Sequence, residues 1–231
     1  MGKAPAQVAL PQLIPVEASW CGPAPNLGGL DANEGCFCGD AGGFVIKKND
    51  IYPHLPHCEW FCSSLAQIAG IPQVGFNLVK HTDGTIWFGS SWRPGRISDW
   101  WLLAAQGAIS FADLVDDLSR IYAFDLFVHN DDRHLNNYMV VSEGGGHRVY
   151  AYDYSRAWLY HGFPMPVPLS IGGNNTIDNK EWMKANLGYV VNVNAATQAL
   201  DNIGGITSAR IKDIVDVCPA NWLTDAEKRA Y

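Results

Sequence analysis

A chain of 231 residues, 48% hydrophobic and 17% charged, has the composition of a globular protein and is long enough to bury a sizeable core. Its formal net charge of −7 and pI near 5.4 argue against strong nucleic-acid binding by the surface as a whole. No apolar run approaches the roughly 18 residues of a membrane span, and the start, Met1-Gly2-Lys3-Ala4-Pro5-Ala6, lacks a signal-peptide core. A cytoplasmic protein with no membrane partner is therefore expected. The six cysteines are too few and too irregularly spaced to read as a disulfide scaffold.

In chain order, residues 1–34 are rich in Pro, Gly and Ala, with short apolar stretches such as Gln12-Leu13-Ile14, and read as loops and short strands. Residues 35–43 form a glycine-dense turn with Asp40 and Gly42-Gly43 at its tip, and 44–47 follow as a strand; this succession signals a hairpin. Phe61, Leu65 and Ile68 recur at helical spacing, so a helix runs from His54 or His57 to Ala69, stopped by Gly70 and Pro72. Residues 74–81 and 85–92 read as strands joined by a turn at Asp83-Gly84. Arg93-Pro94-Gly95-Arg96 is a loop and hinge.

Ser110 is placed to cap a helix over 111–128, with Leu114, Leu118, Ile121 and Tyr122 as its buried stripe. A polar loop over 129–136 leads to strands at 138–142 and 148–153. The rest is loop-rich, then helical: Ser208 caps a segment carrying Ile211, Ile214 and Val215, which Pro219 ends. An antiparallel sheet with one helix followed by mainly helices is an α+β pattern. It divides into two lobes, 1–92 for nucleotide binding and 93–231 for catalysis, within one domain overall.

The chemistry lies in the second lobe. Phosphoryl transfer requires a carboxylate near the attacking hydroxyl, an amide oxygen and a second carboxylate for magnesium, and a lysine on the phosphate oxygens. Asp132 and Asn137 stand five residues apart, and Asp153 follows at the end of the next hairpin. Kinases carry these groups in that order. Upstream, Lys47 closes a Phe-Val-Ile-Lys strand, with Lys48 as its rival, and Glu59 in the following helix is placed to pair with it.

The Asp132-Arg133-His134-x-x-Asn137 loop is similar to that of phosphatidylinositol kinases. Its Asn130-Asp131-Asp132-Arg133-His134 setting and the Tyr152-Asp153-Tyr154 strand end resemble the compact HipA-like kinases. So do the Trp87–Trp92 segment and the Ile-Val-x-x-Cys-Pro-x-x-Trp-Leu run from Ile214 to Leu223, and the resemblance covers most of residues 35–225. It implies a two-lobed protein-kinase-like fold that uses ATP and Mg2+ to phosphorylate a hydroxyl, typically Ser/Thr of a protein. Asp132 is then the catalytic carboxylate, with Arg133 and His134 tying its loop to the core. Asn137 and Asp153 are the metal ligands, Lys47 and Glu59 serve the phosphates, and Gly39, Gly42 and Gly43 cover them. Adenine is expected near the hinge at 90–97. A protein substrate, an inhibitory partner protein and a toxin role are implied as well.

The glycine turn departs from the pattern. It has no GxGxxG spacing and no Ser or Thr between Asn33 and Gly43, so control by phosphorylating a serine in this loop is not expected. Nor is the extra N-terminal domain of larger HipA toxins.

Other readings remain. A pseudokinase or regulatory binding module keeps the fold without transfer, and a lipid or small-molecule alcohol is an alternative substrate. Asp131, Asp132, Asn136 and Asn137 also suit an ordinary turn. Cys36, Cys38, His54, His57, Cys58 and Cys62 gather zinc-type ligands within 27 residues. The Cys-x-Cys spacing is tight for zinc, and a site there would strain the Lys47–Glu59 pair.

Overall fold

The computed structural model describes residues 14–23, 34–49, 54–92, 95–161 and 173–229. The first half supplies six strands: β1 (Val16–Glu17), β2 (Trp20–Pro23), β3 (Glu34–Phe37), β4 (Gly43–Lys47), β5 (Phe76–Lys80) and β6 (Ile86–Ser91). They form one sheet in the order β1-β5-β6-β4-β3-β2. All neighbours are antiparallel except β1 and β5, so the sheet is mixed rather than wholly antiparallel. Gln12, Leu13, Arg93 and Pro94, read as strand and hinge, lie outside the described residues.

The glycine-dense turn is shorter than its composition suggests. Residues 35–37 belong to β3 and pair with β4, with Gly35 opposite Val45 and Phe37 opposite Gly43. Alternation then sorts the sheet into two faces. Cys36, Phe44, Ile46 and Val79 bury on one, packed against Val16, Cys21 and Trp87. On that face a Cβ at Gly89 would stand 2.5 Å from Val79 Cγ2 and 3.1 Å from Phe44 Cβ, so this strand position has room only for glycine. Gly43, Val45 and Lys47 point the other way.

Helix α1 (Leu55–Ala69) is buried along most of its length. Pro56 fits its first turn, and Gly70, at φ 71°, ends it by donating to the carbonyls of Ala66 and Gln67. The Asp83-Gly84 turn forms between β5 and β6, with Thr85 N–H on Asp83 Oδ1 at 2.9 Å and Gly84 at φ 87°.

The second half contains α2 (Trp100–Ala105), α3 (Val115–Phe127), the hairpin β7 (Tyr138–Glu143) and β8 (Gly146–Ala151), α4 (Asn175–Leu187), α5 (Val193–Gly204), α6 (Ser208–Asp216) and α7 (Asp225–Lys228). The helix expected over 111–128 is divided into a 3-10 turn, Phe111–Leu114, and α3. The Ser110 hydroxyl donates to Asp113 Oδ1 at 3.0 Å and makes no cap. Tyr122 is half-buried; Phe124 and Val128 complete the stripe instead. Thr207, not Ser208, caps α6, accepting from Arg210 N–H at 3.3 Å. α4 and α5 occupy a stretch expected to be loop-rich. α4 buries only Thr176 and Met183, so its apolar spacing carries little helical signal.

One apolar core joins the halves. Trp60 and Phe61 of α1 share it with Phe88 of the sheet, Phe124 of α3, Tyr154 and Trp222. Trp60 Nε1 donates to Ile214 O and Trp222 Nε1 to Ile86 O, each at 3.0 Å, so neither indole is buried without a partner.

Candidate active site

The loop after α3 is built on a buried ion pair. Asp125 and Arg133 are both 0% exposed and meet through two parallel bonds, Nε to Oδ2 and Nη2 to Oδ1, each 2.9 Å. Burial alone would disfavour the guanidinium, but Asp125 more than compensates and holds it charged. Arg133 Nη1 donates to Asn137 O at 3.0 Å and to Tyr152 O. The arginine therefore fastens both ends of the loop to the strand leading to Asp153. Asn130 Nδ2 adds a third bond to Asp125, at 2.9 Å.

Asp132 projects from this frame with its side chain 27% exposed. Its carbonyl accepts from His134 N–H at 2.8 Å and from Asn137 Nδ2 at 3.0 Å. The amide of Asn137 is thereby oriented, leaving Oδ1 as its acceptor end. Tyr152 N–H donates to Asn137 O at 3.3 Å, which brings Asn137 beside the residue preceding Asp153.

Asp153 has φ 66°, a conformation that costs a non-glycine residue free energy and is held by its surroundings. Lys47 Nζ lies 3.0 Å from Asp153 Oδ2 and 3.3 Å from Glu59 Oε1. Glu59 Oε2 also accepts from Tyr154 N–H at 3.0 Å, so α1 grips the chain immediately after Asp153. Burial pushes the Glu59 carboxyl up to about 7, with Lys47 only partly offsetting it. Burial would raise Asp153 too, but Lys47 and the Ser155 N–H on Oδ1 outweigh it and hold this carboxyl well below the usual range. Asp153 thus keeps its charge, as a metal ligand must.

The structure therefore brings Lys47, Glu59 and Asp153 into direct contact, and Asp132 and Asn137 into one hydrogen-bonded loop adjoining them. Lys48 falls on the opposite face and pairs with Glu34, which decides between the two lysines. Gly39, Gly42 and Gly43 are elsewhere: their turn opens four residues before Lys47 on β4, roughly 13 Å away along an extended strand. Three N–H groups of the turn are used within it, Cys38 on Gly42 O, Ala41 on Cys38 O and Gly42 on Gly39 O. The strand ends that flank Lys47 are Pro23 and Glu34, which pair with each other while Glu34 pairs with Ile46.

On the Lys47 face of the sheet, a cavity of about 170 Å³ is lined by Trp20, Gly35, Phe37, Gly43, Val45 and Trp92. The two glycines place no side chain in it. Its walls are almost wholly apolar and aromatic, suited to a flat heterocycle. Trp92 falls within 90–97, the stretch where adenine was expected; Trp20 and Phe37 were not singled out in the sequence. Neither was Asp125, whose role depends on an arginine eight residues later.

The zinc-type cluster disperses. Cys36 is disulfide-bonded to Cys21, a pairing the irregular spacing did not suggest, and the two are direct cross-strand partners on β2 and β3. His57 Nδ1 contacts Cys218 Sγ at 3.2 Å, and Cys58 and Cys62 are buried free thiols. Among the described residues the one group with metal-binding geometry is Cys21, Cys36 and His81, two of which form the disulfide. No helix of the described residues is long and apolar enough to cross a membrane.

No protein-family model matches the sequence, and no curated protein is similar to it. Solved structures are similar in fold. The Helicobacter pylori proinflammatory kinase CtkA superposes with a TM-score of 0.60 at 13% identity, covering 94% of this chain and 92% of that one. HipA of Shewanella oneidensis MR-1, solved with HipB and operator DNA, gives a TM-score of 0.50 at 15% identity over 81% of this chain. The match spans 54% of that HipA chain. These likenesses are in fold: the mixed α+β architecture of this chain, a curled sheet followed by helices, is kinase-like, as in CtkA.

Proposed function

We propose that the chain is an ATP- and Mg2+-dependent phosphotransferase that phosphorylates a hydroxyl, most readily Ser or Thr of a protein. The observation that carries this reading is Lys47 held between Glu59 and Asp153 at 3.3 and 3.0 Å, beside the loop of Asp132 and Asn137. Hard oxygen donors, the Asp153 carboxylate and the Asn137 amide oxygen, suit Mg2+. The bound ion would supply charge neutralisation of the phosphates. Lys47 would bind phosphate oxygens, with Glu59 orienting it. Asp132 would orient the acceptor hydroxyl and take its proton. The aromatic cavity beside Val45 would hold the base. Catalysis is then mainly positioning and fixed charge. Gly39, Gly42 and Gly43 are less favoured as phosphate cover, because their turn stands some way along β4 from Lys47 and Gly42 N–H already donates to Gly39 O.

An inhibitory protein partner and a toxin role are proposed on the likeness to HipA, whose complex contains HipB. The cytoplasmic setting expected from the sequence sits poorly with the Cys21–Cys36 bond, since disulfides are rare in reducing compartments.

The test is incubation with γ-labelled ATP and Mg2+, with and without cell lysate, beside Asp132→Ala. Label on an acceptor with wild type alone supports a kinase and identifies its target by mass. A folded wild type that binds Mg·ATP without transferring label would favour the pseudokinase reading.

A further inference from the structure

The start of α4 closes on the loop that carries Asp132. Asn174 caps the helix, accepting from Ile177 N–H at 2.9 Å. Thr176 Oγ1 accepts from Arg133 N–H at 3.0 Å and donates to Asn130 O at 2.5 Å, while its own N–H donates to Asp131 O at 3.4 Å. These bonds hold the loop's main chain. Asn175, between the two, acts on the side chain: its Nδ2 donates to Asp132 Oδ1 at 2.5 Å. Asp132 Oδ2 has Arg156 Nε at 3.9 Å.

The rest of Asp132 is already fixed. Its N–H donates to Asn130 Oδ1 at 3.3 Å, and its carbonyl accepts from His134 and Asn137. The freedom left is rotation of the carboxylate, and the Asn175 amide engages one of its two oxygens. A neutral donor does this without cancelling the charge on which proton acceptance depends. Asn175 is itself exposed, so the bond contributes little burial and has no evident packing role.

We propose that Asn175 is a positioning residue for phosphoryl transfer: its amide holds Asp132 Oδ1 so that Oδ2, beside Arg156, is presented to the acceptor hydroxyl. The inference rests on the phosphotransferase reading. In the step it serves, the acceptor O–H proton passes to Asp132 Oδ2 and the acceptor oxygen bonds the γ-phosphorus. The bond from that phosphorus to the β–γ bridging oxygen breaks, and ADP leaves with the electron pair.

The test measures ADP release and label transfer from γ-labelled Mg·ATP by the full chain, as wild type, Asn175→Ala, Asn175→Gln and Asn175→Asp. Asn175→Ala should lower kcat by about 10- to 100-fold, the scale of a small misplacement of a reacting group. The KM for ATP and the melting temperature should stay near wild type. Asn175→Gln, which keeps the amide donor, should recover much of the loss. Asn175→Asp, which sets a carboxylate against Asp132, should fall below Asn175→Ala. A kcat within twofold of wild type in Asn175→Ala overturns the role of Asn175 alone. So does an equal loss in the Ala and Gln variants with a lowered melting temperature. A folded wild type that releases no ADP overturns the phosphotransferase reading and this role together.

Discussion

Arg133→Met tests whether the Asp125–Arg133 pair carries the loop. Both side chains are 0% exposed, so removing the guanidinium leaves a buried carboxylate whose one remaining side-chain donor among the described residues is Asn130 Nδ2. Breaking one partner of a buried pair costs about 3–5 kcal/mol. A domain is commonly stable by only about 5–15 kcal/mol, so this variant should lose a large share of its stability. Asn137 O and Tyr152 O lose a donor in the same change, which loosens the loop against the Asp153 strand. Asp125→Asn should cost a comparable amount, because it strands the cation instead. The double variant removes both charges, and its cost should fall short of the sum by about 2–3 kcal/mol, within the usual range for contacting residues. Urea denaturation of the four proteins measures the cycle. Additivity within about 0.5 kcal/mol would refute the claim that the two charges stabilise each other.

Asp153→Ala should abolish transfer and remove the Mg2+-dependent part of ATP-induced thermal stabilisation, whereas Asp132→Ala should retain that stabilisation and lose transfer; equal stabilisation of Asp153→Ala and wild type would count against the metal role. Glu59, pushed up to about 7 in the fold from an ordinary 4.5, retains a proton that the unfolded chain releases. Its contribution is therefore greatest below pH 4.5 and is lost as pH rises through about 7, at about 1.4 kcal/mol per pH unit, and the stability difference between wild type and Glu59→Gln should fall by about 3 kcal/mol across that window. Thiol titration of the denatured, unreduced protein should find four of the six cysteines, and Cys36→Ser should cost up to about 3 kcal/mol for release of a 15-residue loop. Gly43→Val should part-fill the aromatic cavity and weaken Mg·ATP binding about tenfold, or about 1.4 kcal/mol, with little change in melting temperature, since a Cβ there meets Trp92 only at 3.5 Å; unchanged ATP affinity would remove the base from this cavity.

Much of the candidate site was legible because its residues are locally encoded. Asp132, Asn137 and Asp153 lie on one loop and the hairpin after it, so their order and spacing alone bring them near one another. Lys47 and Glu59 were legible as a strand end and a helix position, though Lys48 competed until strand alternation turned it to the other face. The glycine turn lies outside this cluster. Composition marks a turn, but the β3–β4 register decides which end of the sheet it occupies, and it lies away from Lys47. The Cys21–Cys36 bond depends on the same kind of cross-strand pairing, across a connection whose length does not reveal its register. Asn175, 43 residues beyond Asp132, became visible only when α4 packed against the loop. By itself the sequence determined the α+β order of elements, the candidate set of Lys47, Glu59, Asp132, Asn137 and Asp153, and the helix stops. Register, the opposing faces and the Asn175 contact were decided by tertiary structure, because hydrogen-bond pairing and burial join residues whose separation along the chain carries no local signal.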